Sequence, residues 1–157
     1  MHKHTHYEKK IFEEYLKAEE ALGTDLEQLK TGLLILSPRN YIPLLYKDTS
    51  EYIRAEIAIH PVTPPSILKK LAHDSDILVR RRTARNPHTP KETLNTLLKN
   101  KDLATLLFIL ENESVTREIV EKLSHDEMEL ISQTAKKKLR SWKAPTRRKL
   151  ISWKEKR

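Results

Sequence analysis

The basic residues at the C-terminal end are the side chains in this sequence best suited to chemistry, namely the binding of phosphate groups. Residues 136–157 contain eleven Lys and Arg and one acidic residue, a net charge of +10. Trp142 and Trp153 lie among these cations. Cations neutralise phosphates while indole rings stack on bases, so the segment predicts a nucleic-acid-binding surface. The predicted binding residues are Lys136, Lys137, Lys138, Arg140, Lys143, Arg147, Arg148, Lys149 and Trp153.

The same composition suits two other partners, an anionic membrane surface and an acidic groove of a protein. Trp142 falls on the apolar face of a predicted helix, so we expect it in the core. The other 135 residues carry 19 basic and 21 acidic residues, a net charge of −2. The positive charge is therefore confined to the C-terminal end. A near-neutral body with a basic end is typical of proteins that bind a polyanion, most often a nucleic acid.

A second group of cations, Arg81, Arg82 and Arg85, lies within a predicted helix. At about 100° per residue, these arginines fall opposite the side marked by Val79 and Thr83. Equivalent positions elsewhere in the chain carry other residue types, so the architecture does not require arginine there. We predict that the three form a phosphate-binding stripe. The alternative is an ordinary solvated helix face.

Arg80 differs from these neighbours because an arginine also stands 26 residues earlier, at Arg54. A residue that recurs with the period of a repeat usually serves the repeat itself. We therefore expect Arg80 and Arg54 to be structural. They would pair with the aspartates at Asp48 and Asp74, or cap backbone carbonyls between units.

Residues for catalysis or for holding a cofactor are scarce. The chain has no cysteine, which excludes disulfides, Cys-ligated zinc, iron–sulfur clusters and thiol nucleophiles. It has two glycines and shows no Gly-rich phosphate loop, nucleophile elbow or His-Glu zinc motif. His2, His4 and His6 alternate near the N-terminus but form no preorganised ligand set. We expect a non-enzymatic protein without cofactor or metal, with a DNA-acting enzyme of helical-repeat type as a minor alternative.

Composition and hydropathy favour a helical protein without a transmembrane segment. Charged residues make up 33% of the 157 residues, and aromatic residues make up 6%, which suits helices better than sheets. No apolar run approaches the roughly 18 residues of a membrane span. The first residues lack the apolar core of a signal peptide. We therefore predict an all-α, cytoplasmic protein.

The sequence repeats itself with a period of 26 residues. Ser37-Pro38, Thr63-Pro64 and Thr89-Pro90 recur at this interval. The same shift aligns apolar columns at Ile42, Leu68, Leu94 and Val120; at Leu45, Leu71, Leu97 and Leu123; at Tyr41, Ile67, Thr93 and Ile119; at Ile53, Val79, Thr105 and Ile131; and at Ile57, Thr83, Ile109 and Ala135. A polar column contains Asp48, Asp74, Asn100 and Asp126. Agreement across so many columns indicates an internal repeat.

Each unit predicts two short helices joined by a polar turn. Thr89 is predicted to cap a first helix, with Pro90 at its first position and Glu92 completing a capping box. The second helix ends before a proline, as at Asn86-Pro87. Helices this short are not stable alone, so stacked units would bury one another's apolar faces in a solenoid. The dipeptide His73-Asp74 superficially suggests a metal-hydrolase site, but it recurs two units later as His125-Asp126. Both dipeptides occupy the same turn position of the repeat, which explains them without a metal.

Helices are also predicted at both ends of the array. Residues 9–22 read as an amphipathic helix ended by Gly23, and a second helix begins at Thr24, with Glu27 in a capping box. A helix over about 127–142 closes the other end. The predicted organisation is N-terminal capping helices over 1–36, a repeat array over 37–140 and a basic tail over 141–157.

One unit reads Leu71-Ala72-His73-Asp74, then Val79-Arg80, then Ala84-Arg85-Asn86-Pro87-His88-Thr89-Pro90 and Leu94. This resembles the variant leucine-rich repeat family, a relative in style of HEAT and armadillo solenoids. The preceding unit is also similar, while the following one has Asn112-Glu113 where the family pattern has Asn-Pro. The resemblance covers roughly 37–140 and implies a right-handed solenoid of short paired helices, about four 26-residue repeats. Some relatives carry a cysteine-ligated iron–sulfur module, which this chain cannot hold.

The resemblance says little about activity, because a fold does not fix a function. The basic residues favour a helical-repeat protein that binds nucleic acid. The alternative is a protein–protein adaptor that uses the extended surface of the solenoid.

Overall fold

The computed structural model describes residues 25–143, together with Glu13 and Lys17. Within this part of the chain, the protein is all-α, with nine α-helices and one short 3₁₀ helix and no strand. The helices are α1 (Leu26–Leu36), α2 (Pro38–Leu45), α3 (Glu51–Ile59), α4 (Pro65–Leu71), α5 (Ile77–Arg85), α6 (Lys91–Leu97), α7 (Leu103–Glu111), α8 (Arg117–Leu123) and α9 (Glu129–Lys143). The 3₁₀ helix, Leu98–Asn100, follows α6 directly.

Alternate helices pack against one another. Helix α5 packs on α3 and on α7, and α9 packs on α7 and α8, while α1 packs on α2 and α3. The predicted apolar columns supply the core of these contacts. Every member of four columns is at most 4% exposed, and the fifth is buried except at the half-buried Tyr41. Burying a Leu or Ile side chain contributes about 1.5–3 kcal/mol, so the columns supply the main stabilisation.

The threonines predicted to cap first helices have a different role. Helices α4 and α6 begin at Pro65 and Lys91, one residue later than predicted. The hydroxyl of Thr63 donates to the carbonyl of Ile57 at 2.5 Å, and that of Thr89 donates to Thr83 at 2.6 Å. The prediction was wrong because carbonyls in the last turn of a helix lack a partner within the helix. These buried hydroxyls satisfy the preceding helix instead.

Two buried asparagines join the ends of successive second helices. The Asn86 amide donates to the carbonyls of Ala58 at 2.8 Å and His60 at 3.0 Å. The Asn112 amide donates to the carbonyls of Ala84 and of Asn86, each at 2.8 Å. In both cases the amide oxygen accepts the backbone N–H two residues further on. The loss of the proline after Asn112 therefore leaves this connection intact.

At the N-terminal end, α1 starts one residue later than the predicted cap allows. Asp25 caps it by accepting the backbone N–H groups of Glu27 and Gln28, at 3.1 and 3.2 Å. Glu27 contacts the Ser50 hydroxyl instead of closing a capping box. A carboxylate cap outweighs the predicted Thr24 cap because negative charge is stabilised at a helix N-terminus. Thr24, Gly23 and most of the predicted helix over 9–22 lie outside the described residues.

Replacing Asn86 with alanine tests how much the inter-helix amide contributes. Asn86→Ala leaves two buried carbonyls and one N–H without their partner, so we expect the free energy of unfolding to fall by about 2–4 kcal/mol. Urea denaturation followed by circular dichroism measures the change. Asn95→Ala, at a half-buried position of α6, is the matched control and should change stability by about 0.5 kcal/mol or less. Equal losses in the two variants would contradict the assigned role.

Candidate functional site

Arg81 in α5 forms an ion pair with Asp102, at the N-terminal end of α7. Its Nη2 lies 2.5 Å from Oδ1 of Asp102, and its Nε lies 3.1 Å from Oδ2. Asp102 is also the N-cap of α7, where it accepts the backbone N–H of Thr105 at 3.0 Å. The Arg81 hydrogen bonds, and then those from Thr105, outweigh the opposing effect of burial and hold the pKa of Asp102 well below its ordinary value. Asp102 therefore stays charged, and Arg81 is neutralised by it.

Arg82 and Arg85 contact the helices on either side of α5. The Arg82 guanidinium pairs with the Glu56 carboxylate of α3, 26 residues earlier. The Arg85 guanidinium lies over the Phe108 ring of α7, 5.7 Å from its centroid. Arg82 and Arg81 are half-buried and Arg85 is exposed. All three arginines therefore keep partly solvent-exposed side chains, but Arg81 and Arg82 are paired with carboxylates from neighbouring segments, which the helical wheel does not show.

Arg54 and Arg80 have the structural contacts predicted for them. Arg54 holds both oxygens of Asp74, at 2.8 and 3.0 Å, and donates to the carbonyls of Asp48 and Thr49. Arg80 donates in the same way to the carbonyls of Asp74 and Ser75. Burial alone would raise the pKa of Asp74. The hydrogen bonds from Arg54 and the Asp76 N–H prevail and lower that pKa.

Helix α9 carries cations of a different kind. Lys136, Lys137 and Arg140 are exposed, and no carboxylate in the described part of the chain lies within ion-pair distance of them. We call these three residues the α9 basic face. They line a shallow depression of about 520 Å³ together with Leu130, Gln133 and Thr134. Leu130 is 55% exposed, so the floor of the depression offers apolar as well as charged contacts.

The 26-residue sequence period shows why Lys136 on this face is not covered by another described helix. Lys136 stands one period after Leu110, and earlier units have Ala84 and Ala58 at this position, all at most 1% exposed. In those units the following helix covers the position. Helix α9 is the last element in the described residues, and there a lysine takes the place of the buried apolar residue. The sequence contains this signal, a lysine at a position where earlier units have an apolar residue, but it becomes visible only when the units are aligned.

The end of α9 presents an aromatic side chain beside these cations. Trp142 is 44% exposed, and the Lys138 Nζ lies 5.4 Å from the centroid of its ring. The expectation that Trp142 lies in the core is therefore wrong. Ile131 and Ala135, which share its predicted face, are fully buried. The buried face of α9 therefore stops short of Trp142.

The structure does not describe the side chains of five predicted binding residues. The side chain of Lys143 is not described, and Arg147, Arg148, Lys149 and Trp153 lie outside the described residues. The arginines of α5 form no continuous stripe with the α9 basic face, because α7 packs against both helices. Phe108 and Glu111 occupy the intervening positions of the repeat on α7, so an aromatic ring and a carboxylate separate the two groups of cations.

Metal-binding side chains do not cluster in the described residues, where no group of three or more His, Asp or Glu could hold an ion. His73 and His125 are exposed at equivalent turns. Asp74 and Asp126 each accept the backbone N–H two residues on. The three N-terminal histidines lie outside the described residues.

No family model, no curated protein and no solved structure matches this chain. Across the helices that the structure describes, none is both long and apolar enough to span a bilayer.

The ion pair between Arg81 and Asp102 predicts a specific dependence of stability on pH. Because the pKa of Asp102 is lower in the folded than in the unfolded chain, its charged carboxylate stabilises the fold, fully above about pH 4. This stabilisation is lost as the pH falls toward the folded-state pKa. Arg81→Gln removes the main cause of the lowering. We expect it to cost about 1 kcal/mol at neutral pH, since Arg81 is partly exposed to screening solvent, and to show a smaller further loss in acid.

Urea denaturation across about pH 2–7 measures both effects. Arg117→Gln, which removes one charge from the exposed pair with Glu121 on α8, is the control. An acid-induced loss of stability that is the same in Arg81→Gln and in the unchanged protein would exclude the proposed coupling.

Proposed function

We propose that this protein binds nucleic acid through the α9 basic face and the basic residues that follow it. The observation that carries the proposal is a difference in pairing. Arg54, Arg81 and Arg82 each pair with a carboxylate from another segment of the chain, whereas Lys136, Lys137 and Arg140 have none among the described residues. Unpaired exposed cations keep their affinity for phosphates, because they need not break an existing ion pair to bind one.

The surroundings of the α9 basic face support a polymer of nucleotides over a simple anion. Trp142 presents a partly exposed indole next to Lys138, which suits stacking on an unpaired base. The sequence after Lys143 adds Arg147, Arg148, Lys149 and Trp153, which continue the alternation of cations and aromatic rings. Phosphate contacts and stacking together favour a single-stranded or locally unpaired segment.

In this proposal the arginines of α5 divide into two roles. Arg81 and Arg82 stabilise the packing of α5 on α7 and α3, and are not phosphate ligands. Arg85 remains exposed over Phe108 and can act as a secondary contact. The nucleic-acid surface is therefore centred on α9.

The proposal includes the architecture that positions α9. We infer a right-handed solenoid of variant leucine-rich repeat type, in which α3, α5, α7 and α9 form one layer. Support comes from the serial packing of these helices and from hydrogen bonds that recur at 26-residue intervals, as at Asn86 and Asn112. The proposed protein is a non-enzymatic binding scaffold without a cofactor. A cytoplasmic location stays a prediction from the sequence.

Fluorescence anisotropy with labelled single-stranded DNA, duplex DNA and RNA tests the nucleic-acid proposal. The triple variant Lys136→Gln, Lys137→Gln, Arg140→Gln should bind roughly 10- to 100-fold more weakly at low salt. Its slope of log affinity against log salt should be smaller by about 2–3, because three phosphate contacts are lost. A chain ending at residue 143 keeps α9 and separates the contribution of the later residues.

The matched control removes three exposed cations of other helices that have no ion pair among the described residues, Arg39→Gln, Lys69→Gln and Lys122→Gln. This control should retain most of the affinity, because its charge loss is the same but its position differs. Equal weakening in both triple variants would reduce the interaction to net charge alone. Absence of binding at low salt would refute the proposal.

A protein–protein adaptor is the second candidate, and one observation favours it. Ile77 and Leu103 occupy equivalent first positions of α5 and α7 and are 40% and 44% exposed. Two aliphatic side chains in register form an apolar strip suited to a partner helix. A partner that co-purifies after nuclease treatment should be lost from Ile77→Ser, Leu103→Ser and retained by the α9 triple variant. The reverse result would exclude this strip as the docking surface.

A further inference from the structure

The turns between first and second helices share one hydrogen bond, with a single exception. Asp48, Asp74 and Asp126 each accept the backbone N–H of the residue two positions later, at 2.9 Å. The equivalent residue of the third unit is Asn100, which makes no such bond within the described residues. Here the chain continues into the 3₁₀ helix, and Lys101 adopts a left-handed conformation with φ of 40°. A left-handed backbone is unfavourable for lysine, so this turn is strained.

The exception changes the surroundings of Arg80. Arg54 uses Nη1 to bind two turn carbonyls and uses Nε and Nη2 to hold the Asp74 carboxylate. Arg80 binds two turn carbonyls through Nη1 in the same pose. By the 26-residue register, the position that should meet its Nε is Asn100, which carries no charge. The Nε of Arg80 is buried and has no hydrogen-bond partner in the part of the chain that the structure describes.

The carboxylates of the neighbouring turns do not take this position, because other donors hold each of them elsewhere. Asp74 is held by Arg54, and Asp102 is held by Arg81 and by Thr105. Asp76 caps α5 by accepting two backbone N–H groups. An unpaired charged donor at a buried atom is costly, so the fold gains if an external acceptor supplies the missing oxygen atoms.

The turn over residues 98–102, which the 26-residue register sets opposite Arg80, presents positive charge to solvent. Asn100 is half-buried, and the flanking Lys99 and Lys101 are exposed. The guanidinium edge that Arg54 presents to a carboxylate is planar and suits two oxygens of one group. The exposed Lys99 and Lys101 flank Asn100 in the chain, so two ammonium groups at this turn add attraction for an anion.

We propose that Arg80, with Lys99 and Lys101, forms a binding site for one oxyanion group, either a carboxylate or a phosphate. The site lies at the turn over residues 98–102, apart from the α9 basic face, and does not depend on the proposed function. The oxyanion would take the place that Asp74 takes at Arg54.

Nuclear magnetic resonance of the arginine side-chain Nε–Hε groups tests the proposal on the whole protein. The Arg80 signal should move saturably when sodium phosphate or sodium acetate replaces sodium chloride at constant pH and ionic strength. The Arg54 signal should stay in place, because its Nε already donates to Asp74. Saturation by phosphate alone assigns the site to phosphate groups, and saturation by acetate alone assigns it to carboxylates. Absence of a saturable shift with both anions would overturn the proposal.

Asn100→Asp supplies the carboxylate from within the chain and serves as the second test. The variant should raise Tm by about 2–6 °C, shift the Arg80 signal toward that of Arg54, and abolish the response to added anions. Asn95→Asp makes the same change in charge on α6 and should keep the response. Arg80→Leu, which copies the residue at position 106 of the next unit, should also lose any anion-dependent rise in Tm. A lower Tm in Asn100→Asp, or an unchanged anion response in it, would contradict the site.

Discussion

Short helices impose the main constraint on this protein. First helices α4, α6 and α8 have seven residues, and second helices α3, α5 and α7 have nine. In helices of this length, most backbone groups lie within four residues of an end and lack a partner inside the helix. Side chains from neighbouring segments therefore have to supply partners. Asn86, Thr89 and Arg80 do so for carbonyls of the turns and last helical turns, while aliphatic columns bury the faces between them.

This constraint also governs where charge can be used. Arg81 and Arg82, the half-buried cations of α5 with carboxylates near them, are neutralised, because a half-buried unpaired charge is destabilising. The ion pair of Arg81 with Asp102 joins α5 to α7, and that of Arg82 with Glu56 joins α5 to α3. At α9 the requirement ends, since no further described helix covers Lys136. Helix α9 can therefore expose cations to a ligand without a loss of packing among the described residues.

The third unit shows how one residue alters the pattern locally. In the second unit, Asp74 accepts the backbone N–H of Asp76 and holds Arg54 of the preceding unit, so it satisfies two demands at once. Asn100 meets neither, and the turn winds into a 3₁₀ helix. Asp102, two residues later, then provides the inter-helix ion pair, but to Arg81 instead of Arg80. The buried Nε of Arg80 is left without a partner where the repeat register places Asn100 in the position of an aspartate.

The sequence by itself determined the period, the helical class and the buried columns, because apolar spacing depends only on local helix geometry. It also predicted that Arg54 and Arg80 are structural, since they recur with the repeat. Tertiary structure alone decided which groups meet across 20 to 28 residues, such as Arg54 with Asp74 and Asn86 with Ala58. It also decided that the Thr89 hydroxyl bonds to the end of α5 and does not cap α6, and that Trp142 is exposed. Such outcomes depend on how adjacent helices are placed. A carbonyl or a charged group without a local partner binds the complementary group that lies nearest in space, which can be far away in the sequence.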